Sequence, residues 1–347
     1  MQRYYFENYL QKILSNRLVE LLTGWKAARY STYSWSAKKT LAARPNWIAW
    51  VFVGLVFVCT PSMGQQVVIL GVAQDGGYPH IGCAKACCRK AWQDESRRNH
   101  VVSFALVDTL QASWWLFEAT PDITRQLERF QQLTGGAYRY LPDGIFLSHA
   151  HIGHYTGLMY LGREALNASQ IPVYTLPKFA DFLRTNGPWS QLVLLNNISL
   201  KPLQPDQPLH LNETVSVTAF TVPHRDEFSE TAGFSIRAGT RKILFIPDID
   251  KWAKWNKSII DEVKRVDMAL LDATFSSATE LPNRKISEVP HPLVSETVSL
   301  FNAQDQQTRQ KVYFIHFNHT NPLLWDEQAQ ADLLRKGFHL ATLGAIL

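Results

Sequence analysis

The sequence predicts a layered α/β domain (α+β in its layering), single and compact, behind a basic leader. Three observations predict it. Short apolar runs at 67–72, 101–107, 114–117, 145–147, 215–222, 233–237, 243–246, 268–271 and 312–317 have the length and composition of strands. Helical patterns occupy 121–133, 155–166, 178–185, 252–263, 292–301 and 322–334, and several open on proline, which suits a first helical turn. From 65 to 347 no Gly/Ser linker, repeat or charge block interrupts the chain, so one domain is expected there. A strand-rich first half followed by alternation fits sheets packed together with helices on the outside.

The leader, 1–64, differs in character. Residues 1–50 hold eight Lys or Arg against two Glu, and 51–64 carry no charge. The net charge of +5 therefore leaves −1 for everything from Gln65 onward. The pI near 8.9 belongs to the leader, and nothing basic remains to attract nucleic acid; a small-molecule substrate is the expected partner. The uncharged stretch 47–60 follows Lys38, Lys39 and Arg44 and precedes Pro61-Ser-Met-Gly64. That is the pattern of a secretory signal cleaved after Gly64, which predicts an exported protein, periplasmic or secreted. The alternative is a retained membrane anchor with its basic end inside, since the stretch is just long enough for a marginal span. The 46 residues ahead of the apolar core exceed an ordinary n-region, which leaves the translation start open. Cys59 follows Val58, so lipoprotein attachment is not expected.

Chemistry concentrates in Ser148-His-Ala-His-Ile-Gly-His154, between the apolar run Gly144-Ile-Phe-Leu147 and Tyr155-Thr-Gly-Leu-Met-Tyr-Leu161. His149 and His151, one residue apart at a strand end, can converge on one cation, and His154 can reach a second position beside it. Imidazole at this density suits zinc or iron. Other strands end the same way. Val215-Ser-Val-Thr-Ala-Phe-Thr-Val-Pro leads to His224, Lys242-Ile-Leu-Phe-Ile-Pro to Asp248, and Lys311-Val-Tyr-Phe-Ile to His316, with His319 close behind. A carboxylate at the mouth of a buried strand is costly to desolvate unless paired or metal-bound, so Asp248 reads as a ligand.

A second group is local. Cys83-Ala-Lys-Ala-Cys87-Cys88, with His80 three residues ahead, can close a tetrahedral structural zinc site separate from catalysis. One disulfide plus a free thiol, or free thiols throughout, are the alternatives.

The order His-x-His-x-x-His, His, Asp, His, each after a hydrophobic strand, resembles the metallo-β-lactamase superfamily over essentially 65–347. The opening Ile69-Leu-Gly-Val-Ala-Gln-Asp-Gly-Gly-Tyr-Pro79 and the segment Phe314-Ile-His-Phe-Asn-His-Thr-Asn-Pro322 are similar to its PqqB-like members, relatives of a pyrroloquinoline quinone biosynthesis protein. The resemblance implies an αββα sandwich. It implies one metal site at His149, His151 and His224, a second that includes His154 and His316, and Asp248 as the bridge. Gly153 stands where the superfamily usually has an aspartate ligand. One tightly held ion is therefore expected, or a second ion held by substitutes such as His319, His291 or Asp272. His291, in Val289-Pro-His-Pro-Leu293, is expected either as a catalytic residue in a loop over the site or as an exposed loop residue. The implied activity is hydrolysis of an ester, amide or phosphodiester by a metal-activated water, with Asp248 orienting it or moving its proton. Zinc, one or two ions, is the expected cofactor, with iron or manganese as alternatives. Two other readings stand beside it: a PqqB-like oxygenase or cofactor-biosynthesis enzyme, and a non-catalytic binding protein on the same fold. The export signal argues against the first, and the ligand set against the second.

Overall fold

The computed structural model describes residues 64–347. The basic leader and its apolar stretch 47–60, with the export reading that rests on them, lie outside the described residues. Among the described residues no helix is long and apolar enough to cross a membrane.

Two sheets form the centre. In the first, β1 (Gln65–Gly71), β2 (Ser103–Asp108) and β3 (Ser113–Phe117) pair antiparallel. β4 (Gly144–Phe146), β5 (Ile171–Thr175) and β6 (Ile198–Pro202) then continue in parallel. In the second, β7 (Pro208–His210), β8 (Val215–Val222), β9 (Thr231–Ala238) and β10 (Arg241–Ile246) pair antiparallel. β11 (Met268–Asp272), β12 (Val312–Ile315) and β13 (His339–Leu340) extend that sheet in parallel.

The period-two alternation of each strand decides what it packs against. On β2, Phe104 and Leu106 join the core shared with the second sheet, while Ala105 and Val107 join the layer under the helices. Between the sheets Phe104 meets Phe245 edge-on with ring centroids 4.9 Å apart, and Phe117 meets Phe234 at 5.5 Å. Side chains of this size, fully buried, contribute roughly 1.5–3 kcal/mol each. Outside the first sheet, the helix Ile123–Thr134 buries Ile123, Leu127 and Phe130 and stops at Gly135, whose φ of 62° suits a left-handed cap. Over the second sheet, Val294–Phe301 buries Val294, Thr297, Val298 and Phe301, again a helical stripe. The layering is helix, sheet, sheet, helix, as the strand and helix patterns predicted.

Each predicted strand run contains a strand. The strands at β5, β6, β7 and β13 were not anticipated: Pro172, Pro202 and Pro208 weaken the strand signal of the first three, and β13 is only two residues long. Two helical patterns break in the middle. The run 252–263 divides because Ser258 caps a new helix, Ile259–Lys264, by accepting from the Asp261 amide. The run 322–334 divides at Asp326, whose carboxylate caps Glu327–Arg335 by accepting from the Gln328 and Ala329 amides. The run 155–166 becomes a short helix, Ile152–Tyr155, followed by a 3-10 segment, Thr156–Leu161.

Candidate metal centre

β8 is antiparallel to β9 and β9 to β10, so β8 runs with β10, β11 and β12. Strands running one way leave their C-terminal ends along one edge, where side chains far apart in sequence can meet. β8 delivers His224 there, β10 Asp248, β11 its last residue Asp272, and β12 His316. From the first sheet, β4 runs through Leu147 and Ser148 into His149 and His151. His149, His151, His224 and Asp248 present ligand atoms that all lie within 4.8 Å of one another. His149 Nε2 is 2.8 Å from His151 Nδ1 and 3.5 Å from Asp248 Oδ2. His224 Nε2 is 3.3 Å from the same oxygen.

Asp248 faces two ways. Its Oδ2 is also 3.8 Å from His154 Nε2, and its Oδ1 is 3.1 Å from His291 Nδ1. Asp248, Asp272, His291 and His316 make a second group of converging ligand atoms, and Asp75, His154 and His316 a third. His291 is therefore a buried member of the centre, 5% exposed, and not an exposed loop residue.

Outer partners hold the rings in place. Ser148 Oγ lies 2.9 Å from His149 Nδ1, Glu227 Oε2 2.9 Å from His151 Nε2, and Thr274 Oγ1 2.9 Å from His316 Nδ1. The buried Glu118 carboxylate is 3.5 Å from His154 Nδ1. With one ring nitrogen engaged, the other is left to point at a ligand. Glu118 and His316 both have positive φ, 70° and 67°, a backbone that costs on the order of 1–3 kcal/mol for residues other than glycine. Each closes a strand at the centre, where the surrounding sheet holds that conformation.

The donor set fits a cation. His154 Nε2, His316 Nε2 and both ring nitrogens of His224 are buried with no hydrogen-bond partner. An unpaired buried polar group costs roughly 1–3 kcal/mol, and a lone pair is satisfied as well by a metal as by a proton. Burial, reinforced by the neighbouring His154, holds His149 well below its ordinary range and so neutral, the form that ligates. His154 moves oppositely. Burial disfavours its charged form, but Glu118, then Asp75 and Asp248, pull it up to about 9. Asp248 and Asp272 likewise overcome burial and pull His291 up to about 10. The carboxylates Asp75, Glu118, Asp248 and Asp272 thus draw positive charge into the centre, and two divalent cations would balance them.

The family model described as the beta-lactamase superfamily domain matches residues 113–317, a span that takes in every candidate ligand from His149 to His316. The chain belongs to that superfamily. Within it the chain is PqqB-like. It is 26% identical over 312 residues to coenzyme PQQ synthesis protein B of Methylorubrum extorquens (strain PA1), covering 82% of this chain and 99% of the relative. It is 25% identical over 308 residues to the Gluconobacter oxydans (strain 621H) protein of the same name, covering 80% and 96%. Among solved structures, Zn(2+)-bound PqqB from Methylobacterium extorquens matches with a TM-score of 0.68 at 22% identity, over 81% of this chain and 99% of that one. A diphosphatase from the PhnP family matches at 0.60 and 21%, over 82% and 97%. These likenesses show the metallo-β-lactamase fold.

In this superfamily member the cysteine cluster lies apart from the buried centre, and its composition differs from expectation. Cys83, Cys87, Cys88 and His319 converge within 4.8 Å, whereas His80 does not join them. His80 instead packs against His319, ring centroids 4.2 Å apart and planes tilted by 33°, and its Nδ1 lies 2.8 Å from the Ile81 carbonyl. The structure thus places His319 with the thiols and apart from the candidate ligands of the buried centre. Short spacing alone favoured His80, but the strand end at His316 carries His319 across to them. The cysteines are thiols and not a disulfide, with Sγ atoms 3.8 Å apart for Cys83 and Cys87 and 4.0 Å for Cys87 and Cys88. Burial, with His80 and Lys85 adding repulsion, lowers His319 to about 4 and keeps it neutral.

Sequence reasoning missed Asp75, Glu118 and Glu227. The signal for the first two was present: each carboxylate follows an apolar strand, as Asp248 does. Glu227 comes from a loop three residues after His224, and nothing in its local pattern marks it.

Proposed function

We propose that this chain is a metal-dependent hydrolase acting on a phosphodiester bond of a small-molecule substrate, with zinc at His149, His151, His224 and Asp248. The observation that carries this reading is the placement of Asp248 Oδ2 within 3.8 Å of imidazole nitrogens on both sides of it. Two cation positions astride one carboxylate suit in-line displacement at phosphorus, where attacking and leaving oxygens both need charge stabilisation. The likeness to a PhnP-family diphosphatase supports displacement at phosphorus, and the likeness to a Zn(2+)-bound PqqB supports the metal, with manganese or iron as alternative occupants.

A bound cation would supply Lewis acidity, acidifying the attacking water and polarising the scissile bond. Everything else comes from the chain. Asp248 accepts a hydrogen bond from the attacking water and orients it. His291, its Nδ1 held 3.0 Å from Asp272 Oδ2, is the proton donor for the leaving oxygen through its other ring nitrogen, Nε2. Ser148, Glu118 and Thr274 fix the rings, so little reorganisation accompanies reaction.

The test uses the zinc-loaded full chain with bis(p-nitrophenyl) phosphate, p-nitrophenyl acetate and a p-nitroanilide. The expected result is turnover of the diester, lost on chelation and restored by zinc. Turnover of the carboxylic ester or the anilide with none of the diester would overturn the phosphodiester assignment. A second reading rests on the likeness to coenzyme PQQ synthesis protein B: a metal-dependent oxygenase in cofactor biosynthesis. Oxygen consumption by the iron-loaded chain, with every hydrolytic substrate inert, would favour it.

A further inference from the structure

Residue 153 lies between His151 and His154 and is glycine, so it offers the second cation position no carboxylate. The space a side chain would enter there is already filled. A Cβ at Gly153 would lie 2.0 Å from Asp75 Oδ1, 2.6 Å from Asp75 Cα and 2.8 Å from its Cγ. Asp75 Oδ1 is 3.5 Å from His154 Nε2, and Asp75, His154 and His316 converge within 4.8 Å. Asp75 Oδ1, His154 Nε2 and His316 Nε2 are all buried with no hydrogen-bond partner, and His154 and His316 are themselves 0% exposed.

The backbone explains how a residue so far away arrives there. Beyond β1 the chain continues beside the end of β12: Phe317 donates its amide to the Val72 carbonyl, and Gln74 donates to the Phe317 carbonyl. Gly77, at φ 68°, donates to the Gln74 carbonyl and turns the chain back. Asp75 is held in that turn, next to the strand end that carries His316.

We infer that Asp75 is a ligand of the second cation, supplied by the turn after β1 in place of the side chain that Gly153 lacks. The inference rests on the metal-centre reading. It replaces the expectation that Gly153 costs the site its carboxylate and leaves one ion. It also fixes the sense of one substitution: an aspartate at 153 adds no ligand, because it collides with the one present.

Mn²⁺ is the probe, because it prefers carboxylate and imidazole to the thiols of the cysteine cluster. The metal-stripped full chain is titrated with Mn²⁺, counting bound ions and recording the electron paramagnetic resonance of the filled protein. Wild type should bind two ions with the spectrum of a spin-coupled pair. Asp75→Asn should hold one ion with an uncoupled spectrum, the second binding more weakly by at least the roughly 10–100-fold that loss of an outer partner of a ligand costs. Gly153→Asp alone should gain nothing, and Asp75→Gly combined with Gly153→Asp should restore the coupled pair. That restoration also covers the case in which Asp75→Asn folds poorly. A coupled pair that persists in Asp75→Asn, or a folded double variant that stays at one ion, overturns the assignment of Asp75 while leaving the metal centre standing. Wild type that binds one ion overturns it too, and wild type that binds none sinks the metal-centre reading itself.

Discussion

The buried centre and the cysteine cluster are both groups of metal-ligating side chains, built in opposite ways. The cluster draws three ligands from six consecutive residues at the start of the helix Ala86–Gln93, and two of its thiols are partly exposed. The centre draws on the ends of five strands and the turn after a sixth, and its carboxylates Asp248 and Asp272 are 2% and 0% exposed. A local group can be ordered by one helical turn. A dispersed one exists only when two sheets are already packed, and its charges are tolerable only beside counter-charge. The two regions are nonetheless joined twice. β12 ends with His316 in the centre and, three residues on, His319 among the thiols. The segment after β1 places Asp75 in the centre and then Cys83 in the cluster.

The largest effect that would break this division concerns catalysis. His149→Ala should lower hydrolysis by about 1,000-fold, the equivalent of roughly 4 kcal/mol of lost transition-state stabilisation. The metal-free variant should melt close to metal-free wild type. Cys87→Ser should do the reverse, losing one zinc per chain and about 4–5 °C of melting temperature, what about 3 kcal/mol does in a chain of this size. Its folded molecules should keep their activity. Loss of activity from a fully stable Cys87→Ser protein would place the thiols in the active site.

A smaller effect separates the two histidines at the cluster. His319→Ala should lose the cluster's zinc and the same stability as Cys87→Ser, whereas His80→Ala should keep the zinc and lose only a ring contact. Equal zinc loss from both, measured by metal analysis of purified protein, would show His80 to be a ligand after all.

The smallest effect sharpens the picture of the centre. Glu118→Gln leaves every ligand in place but removes the charge facing His154 Nδ1. The second metal should bind about 10-fold more weakly, with the first unaffected. Equal weakening at both positions, in a competition titration, would mean that the Glu118 charge acts on the whole centre and not through His154.

The sequence by itself determined the layers and most of the candidate ligands. Apolar runs with period two, helical stripes opening on proline, and His or Asp closing a run are local patterns, and each records a local physical constraint. His149, His151, His154, His224, Asp248 and His316 were legible for that reason. Three things were decided only by tertiary structure. Asp75 was legible as a carboxylate after a strand, but its place beside Gly153 depends on the pairing of the β1 extension with the end of β12. His319 sits with the thiols, and not with His154, because the chain leaves β12 through a left-handed His316 and turns away from the centre. Glu118 faces His154 because β3 lies next to β4 in the sheet. Spacing along a chain reports which residues can be neighbours within a turn of helix or a strand end. Which strand ends meet is set by sheet order and register, and these follow from the burial of two apolar faces against each other.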